Sequence, residues 1–113
     1  MQSEQTDGTH FVQATLKVLG GKWKLLILWH LKDKARRYSE LKRLIPEITE
    51  KMMIQQLREL ERDDIVSRKT LAEMPPKVEY AFTEYGKTLI PILKPLCDWG
   101  QEHLKRKGTD GVD

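Results

Sequence analysis

Apolar positions in the first sixty residues recur with a helical period. Val12, Leu16 and Leu19 fall three or four residues apart, which predicts a short helix over 11–19 that Gly20-Gly21 ends. Trp23 to Leu31 is apolar on most sides and reads as a buried helix. Asp33 to Arg37 is polar, a turn leading into a short extended piece around Tyr38. Ser39 then has the chemistry of an N-cap, with Leu41, Leu44 and Ile45 on one face behind it, and Pro46 stops that helix. Thr49 is the next cap, Glu50 sits where the helix dipole favours an anion, and Met53, Leu57 and Leu60 form an amphipathic stripe. Two short helices joined through a tight turn at 45–48 have helix-turn-helix spacing.

Beyond residue 64 the period changes. Ile65 to Leu71 is rich in strand formers, and Val78, Tyr80 and Phe82 alternate with Glu79 and Ala81, a half-buried strand. Pro75 and Pro76 between the two runs donate no backbone hydrogen bond and restrict φ. They suit the tip of an exposed ribbon, which they stiffen and protect from edge pairing. A stiff ribbon directly after a helix-turn-helix is a wing. Thr83 is the expected cap of a last helix running from Glu84 to about Leu104, with Leu89, Ile92, Leu93, Leu96, Trp99, Gly100 and His103 on one broad face. Pro91 and Pro95 both sit past the first turn of that span, so Pro91 is expected to kink it. The predicted fold is mostly α with a small β-wing, a winged helix-turn-helix over 11–104 between flexible tails at 1–10 and 105–113. The last helix has more apolar surface than so small a core absorbs, which predicts burial against a second subunit.

Composition narrows the class. A chain of 113 residues fits one domain, and 39% hydrophobic with 33% charged residues is ordinary for a water-soluble protein. The N-terminus has no apolar core of a signal peptide, and the longest purely apolar run, Leu25 to Trp29, is far short of a membrane span. One cysteine, Cys97, excludes an internal disulfide and a cysteine-built metal site; the expected compartment is the cytoplasm. Net charge is only +3, yet Lys17 to Arg43 holds nine basic residues against two acids, Asp33 and Glu40. That asymmetry points to a polyanion partner or to a merely solvated charged face.

The runs GGKWKLLIL (20–28), RRYSELKRLIPEITEKMMIQQLRELERDDIVSR (36–68), PPKVEYAFTEYG (75–86) and LCDWG (96–100) resemble the HxlR-type bacterial transcription regulators, winged-helix relatives of the MarR repressors. The resemblance covers about Phe11 to His103, with its motifs in order. It implies a homodimer on a palindromic operator in double-stranded DNA, held by the first and last helices, with the second helix of the pair in the major groove. Phe11, Leu89, Ile92, Leu93, Leu96, Trp99 and His103 are the dimerisation candidates. Some members sense oxidants through a cysteine before the first helix, in a motif like C-P-V-E-A-T. Here that run is His10-Phe11-Val12-Gln13-Ala14-Thr15, with His10 at the cysteine position, which argues against thiol sensing by that route.

Candidate contacts follow from residue chemistry. Lys51, Gln55, Arg58 and Arg62 lie opposite the apolar stripe of their helix. Gln pairs bidentately with adenine, and Lys or Arg donates to guanine or phosphate. Thr49, Lys51, Met52, Gln55 and Gln56, near the helix start, are the expected base readers, and Arg58 the expected phosphate contact. Arg36, Arg37 and Ser39 can hold a phosphate at the preceding helix start, although Ser39 can equally be a cap and nothing else. Lys77, at the wing tip, can reach the backbone or minor groove.

Cys97 reads as a small buried hydrophobe, and His10, His30 and His103 share no metal-ligand spacing. Met52-Met53 reads as one groove-facing and one core residue, and Trp23, Trp29 and Trp99 as core or dimer packing. No Ser/His/Asp set, phosphate loop or carboxylate dyad indicates an enzyme, and no cofactor is implied. The competing readings are a winged-helix interaction module without DNA and a redox or ligand sensor of the same fold whose effector the sequence does not identify.

Overall fold

The computed structural model describes residues 7–108. Helix α1 (Thr9–Leu19) ends at Gly20, whose N–H closes on the Leu16 carbonyl at 2.8 Å, and α2 (Lys24–Leu31) follows. A two-residue strand β1 (Arg36–Arg37) leads into α3 (Tyr38–Leu44), and the turn at 45–49 leads into α4 (Glu50–Arg62). The wing is β2 (Val66–Leu71) and β3 (Lys77–Phe82), and a 3-10 turn (Gly86–Leu89) opens into α5 (Ile90–Arg106). The three strands form one antiparallel sheet in the order β1-β3-β2, with Arg36 opposite Tyr80 and Val66 opposite Phe82.

The stripes meet in one core. Ile27, Leu28 and Leu31 of α2 pack with Leu41 and Ile45 of the α3 segment, Ile48 of the turn, and Met53, Leu57 and Leu60 of α4; Val66, Tyr80 and Phe82 close it from the sheet. Thr49 caps α4 as expected, its hydroxyl accepting the Met52 N–H at 3.1 Å. At the other end Asp64 adopts φ 62°, a left-handed position open to Asp because its short polar side chain tolerates it. Its N–H reaches the Glu61 carbonyl and the Ile65 N–H reaches Leu60, at 3.0 and 2.9 Å, which satisfies the last carbonyls and turns the chain into the wing.

Four expectations are corrected. Ser39 is not the cap of α3: β1 pairing holds Arg37 extended, the helix starts at Tyr38, and the Glu40 carboxylate accepts the Arg37 N–H at 2.8 Å in the capping role. Leu44 turns outward, while Leu41 and Ile45 are buried. Thr83 caps a turn instead of the long helix, accepting the Gly86 N–H at 2.8 Å and donating to the Asp64 carbonyl at 2.6 Å. Because α5 begins only at Ile90, Pro91 falls in its first turn, where no N–H is needed, and only Pro95 lies in the helix interior.

One buried charge ties α2 to α4. The Lys24 ammonium, in a residue 5% exposed, meets the Glu59 carboxylate at 2.6 Å. Glu59 also accepts from Gln55 Nε2 at 3.3 Å, and the Lys24 and Gln55 hydrogen bonds hold its carboxyl below the usual carboxylate pKa. A depressed folded-state pKa contributes stability above the ordinary value of 4.5, and that contribution is lost as pH falls through the lower folded value. Glu59→Ala strands the buried ammonium and is expected to lower the thermal midpoint by about 5–10 °C. Lys24→Met removes the charge and keeps the volume, so calorimetry should show a much smaller loss; equal losses would mean the pair does not govern the effect.

Candidate nucleic-acid interface

The outer face of α4 carries the polar row. Lys51, Gln55, Arg58 and Arg62 are exposed, and their backs, Met53, Leu57 and Leu60, are sealed in the core. Gln55 is held by its bond to Glu59, and that side chain still presents an oxygen and a second N–H. Gln56 is half-buried and donates to the Met52 sulfur at 3.5 Å, so Met52 packs against the core instead of standing free. Arg58 has no ion pair among the described residues.

A cleft of about 500 Å³ separates α4 from the wing. Arg37, Arg58, Arg68 and Lys77 reach it from four elements, with Ile54 and Tyr80 among the residues lining it. Arg68 shares its charge with Glu61 at 3.6 Å. Lys77 is exposed, has no ion pair among the described residues, and lies at the start of β3, just past the tip. Tyr38 borders the same cleft, its hydroxyl buried without a partner among the described residues, and burial raises that hydroxyl's pKa.

The basic run of the first half does not form one free surface. Lys22 and Lys32 lie over the rings of Trp23 and Trp29, at 4.6 and 3.9 Å from their centroids, and Lys24 is buried. Arg36 Nε donates to the His30 carbonyl at 2.8 Å, closing the end of α2. Arg37 is ion-paired to Glu73 of the wing loop at 2.6 Å. Of the three residues proposed for the α3 phosphate contact, Arg36 is therefore engaged with backbone, Arg37 with a carboxylate, and Ser39 is exposed in the first turn. Only the Arg37 partner is remote, Glu73 lying 36 residues on, whereas Arg36 bonds a carbonyl six residues back.

A family model for the HxlR-like helix-turn-helix matches residues 18–108. The chain belongs to that family. It is 56% identical over 95 residues to the HTH-type transcriptional regulator YtcD of Bacillus subtilis, covering 84% of this chain and 75% of YtcD. A crystal structure of an HTH-type regulator named ytcD superposes with a TM-score of 0.79 at 54% identity, over 83% of this chain and 96% of that one. The redox regulator HypR in its oxidised form superposes at 0.78 with 47% identity, over 80% and 94%. The protein is a winged-helix transcriptional regulator.

The HxlR-like fold leaves α1 and α5 as outer helices. Phe11, Ile92, Leu96, Trp99 and His103 are exposed on them, Trp99 and His103 stacked with centroids 5.1 Å apart. Leu93 points the other way, 3% exposed in the chain's own core, and Leu89 is half-buried against that core. Cys97 is exposed, not buried, because the face of α5 that carries it lies away from that core. Among the described residues no helix is long and apolar enough to cross a membrane.

Proposed function

We propose that the protein is a sequence-specific regulator that binds a palindromic operator as a homodimer in the cytoplasm. The observation that carries this reading is the exposed row Lys51, Gln55 and Arg58 on a helix whose other face is locked into the core, beside a wing bearing Lys77. Lys51, Gln55 and, near the start, Thr49 meet base edges; Arg58, Lys77 and Ser39 meet phosphates. Two such helices related by a twofold axis match half-sites ~34–36 Å apart or a multiple of that spacing.

Selection of bound sequences from random duplexes, then mobility shifts across a salt series, tests the reading. Affinity should fall steeply with salt. Gln55→Ala should cost about 1–3 kcal/mol on the selected site and relax preference at one or two base pairs. Lys77→Ala should weaken all duplexes alike and lower the salt slope by about one per contact. Equal loss on specific and random DNA for Gln55→Ala, with altered base preference for Lys77→Ala, would reverse the assignment of helix and wing. A salt-insensitive protein that selects no sequence would favour the interaction-module reading.

A further inference from the structure

Among the described residues, the most exposed large hydrophobic side chain lies where the wing ends. Met74 is 95% exposed, at the tip between β2 and β3. It is held there. The preceding Glu73 is anchored twice, by its N–H to the Leu71 carbonyl at 2.9 Å and by its carboxylate to Arg37 at 2.6 Å. The following Pro75-Pro76 restricts the return of the chain. The thioether is thus presented on a fixed arm and not packed against any wall of the protein.

We propose that Met74 is the wing's apolar contact with DNA and that its oxidation to the sulfoxide by a peroxide weakens that contact. The inference rests on the DNA-binding reading above. Methionine and proline are suited to the sugar edges and base steps of a minor groove, where an unbranched apolar side chain fits without a hydrogen-bonding partner. Lys77, three residues on at the start of β3, supplies attraction to the backbone, and Met74 supplies desolvated contact.

The same exposure makes the sulfur reactive. A sulfur lone pair attacks one oxygen of hydrogen peroxide, the O–O bond breaks, and the leaving hydroxide takes the proton of the transferred oxygen. Sulfur loses two electrons and peroxide is reduced to water. The product is polar and chiral, and methionine sulfoxide reductases reverse it. The other described methionines are shielded: Met53 is fully buried, and Met52 is half-buried under Gln56. The wing tip is therefore the site at which oxidation is selective among them.

The test uses the full chain carrying Cys97→Ser, which removes the exposed thiol. Hydrogen peroxide is added without DNA, and mass mapping follows each methionine. Oxygen should accumulate on the peptide holding Met74 well before it reaches Met52 or Met53. The oxidised protein should bind its selected duplex about tenfold more weakly, the loss expected for one methionine's apolar contact. Methionine sulfoxide reductase should restore binding. Met74→Gln, polar and inert to peroxide, should be weakened by a similar factor with an unchanged salt slope, unlike Lys77→Ala. For Met74→Leu, treated and untreated protein should bind alike. Equal peroxide losses with and without Met74, or Met74→Gln binding as the unsubstituted chain does, would overturn the inference while leaving the DNA reading intact. Failure of the untreated protein to retard any duplex would remove both.

Discussion

Gly86→Ala is expected to be the most destabilising small substitution in the wing's base. A Cβ built there would stand 2.0 Å from the Ile65 carbonyl oxygen and 2.9 Å from the Phe82 ring. The first is backbone and cannot rotate away. The contact lies where three things converge: the end of the α4 turn, the last residue of β3, and the 3-10 entry to α5. Thr83 fastens the same point, binding the Asp64 carbonyl and the Gly86 N–H. Relieving the clash means separating Gly86 from Ile65, which disturbs those bonds and the burial of Phe82. The expected loss is about 3 kcal/mol or more, the upper end for overpacking, and a drop of more than about 10 °C in thermal midpoint. Circular dichroism melts check it, and a midpoint within a degree or two of the unsubstituted protein would show that the wing's base yields easily.

The reason this glycine escaped the sequence is instructive. Its requirement is steric and long-range, set by a carbonyl from the other side of the wing. Local signals behaved otherwise. The Thr49 cap, the Met53–Leu57–Leu60 stripe and the Val78–Tyr80–Phe82 alternation were legible because periodicity and capping act over a few residues. Ser39 looked like a cap by the same logic, and a strand pairing of Arg36 and Arg37 with β3 moved the helix start to Tyr38. Pro91 looked like a kink only because the turn at Gly86–Leu89 was invisible in the pattern.

Charges were the least legible. Nine basic residues between Lys17 and Arg43 point by charge alone to a polyanion partner or to a solvated face. Folding assigns Lys24 to a buried pair, two lysines to tryptophan rings, and two arginines to a carbonyl and to Glu73. The cations left on the cleft come from elsewhere as well, Arg58 from α4 and Lys77 from the wing. Residue type predicts what a side chain can do; only the partner, set by the fold, decides what it does. Cys97 and Met74 show the same limit for apolar groups, since each stands exposed where composition alone suggested cover or said nothing.

On the proposed homodimer, Trp99→Asp is expected to yield monomer or aggregate at concentrations where the unsubstituted chain sediments as a dimer. Trp99 is 69% exposed on α5 and Phe11 61% on α1, with Leu16, Ile92 and Leu96 exposed on the same two helices. Single exposed apolar side chains are normal on a monomer, whereas a set this large on two outer helices supports the proposed interface. A twofold contact repeats every substitution, so one aspartate per chain places two carboxylates in the interface. Each substitution loses the tryptophan's apolar burial, and each carboxylate must shed its water on assembly, at several kcal/mol per ion. Trp99→Phe keeps the apolar ring and should stay dimeric. Sedimentation equilibrium distinguishes the species, and a stable monomer for the unsubstituted chain would sink the dimer outright. If the dimer is also what spans two half-sites, Trp99→Asp should bind a single half-site and a full palindrome with the same affinity, although Gln55, Arg58 and Lys77 are untouched. Loss of the palindrome's advantage without loss of half-site binding would place the defect in assembly and not in the reading face.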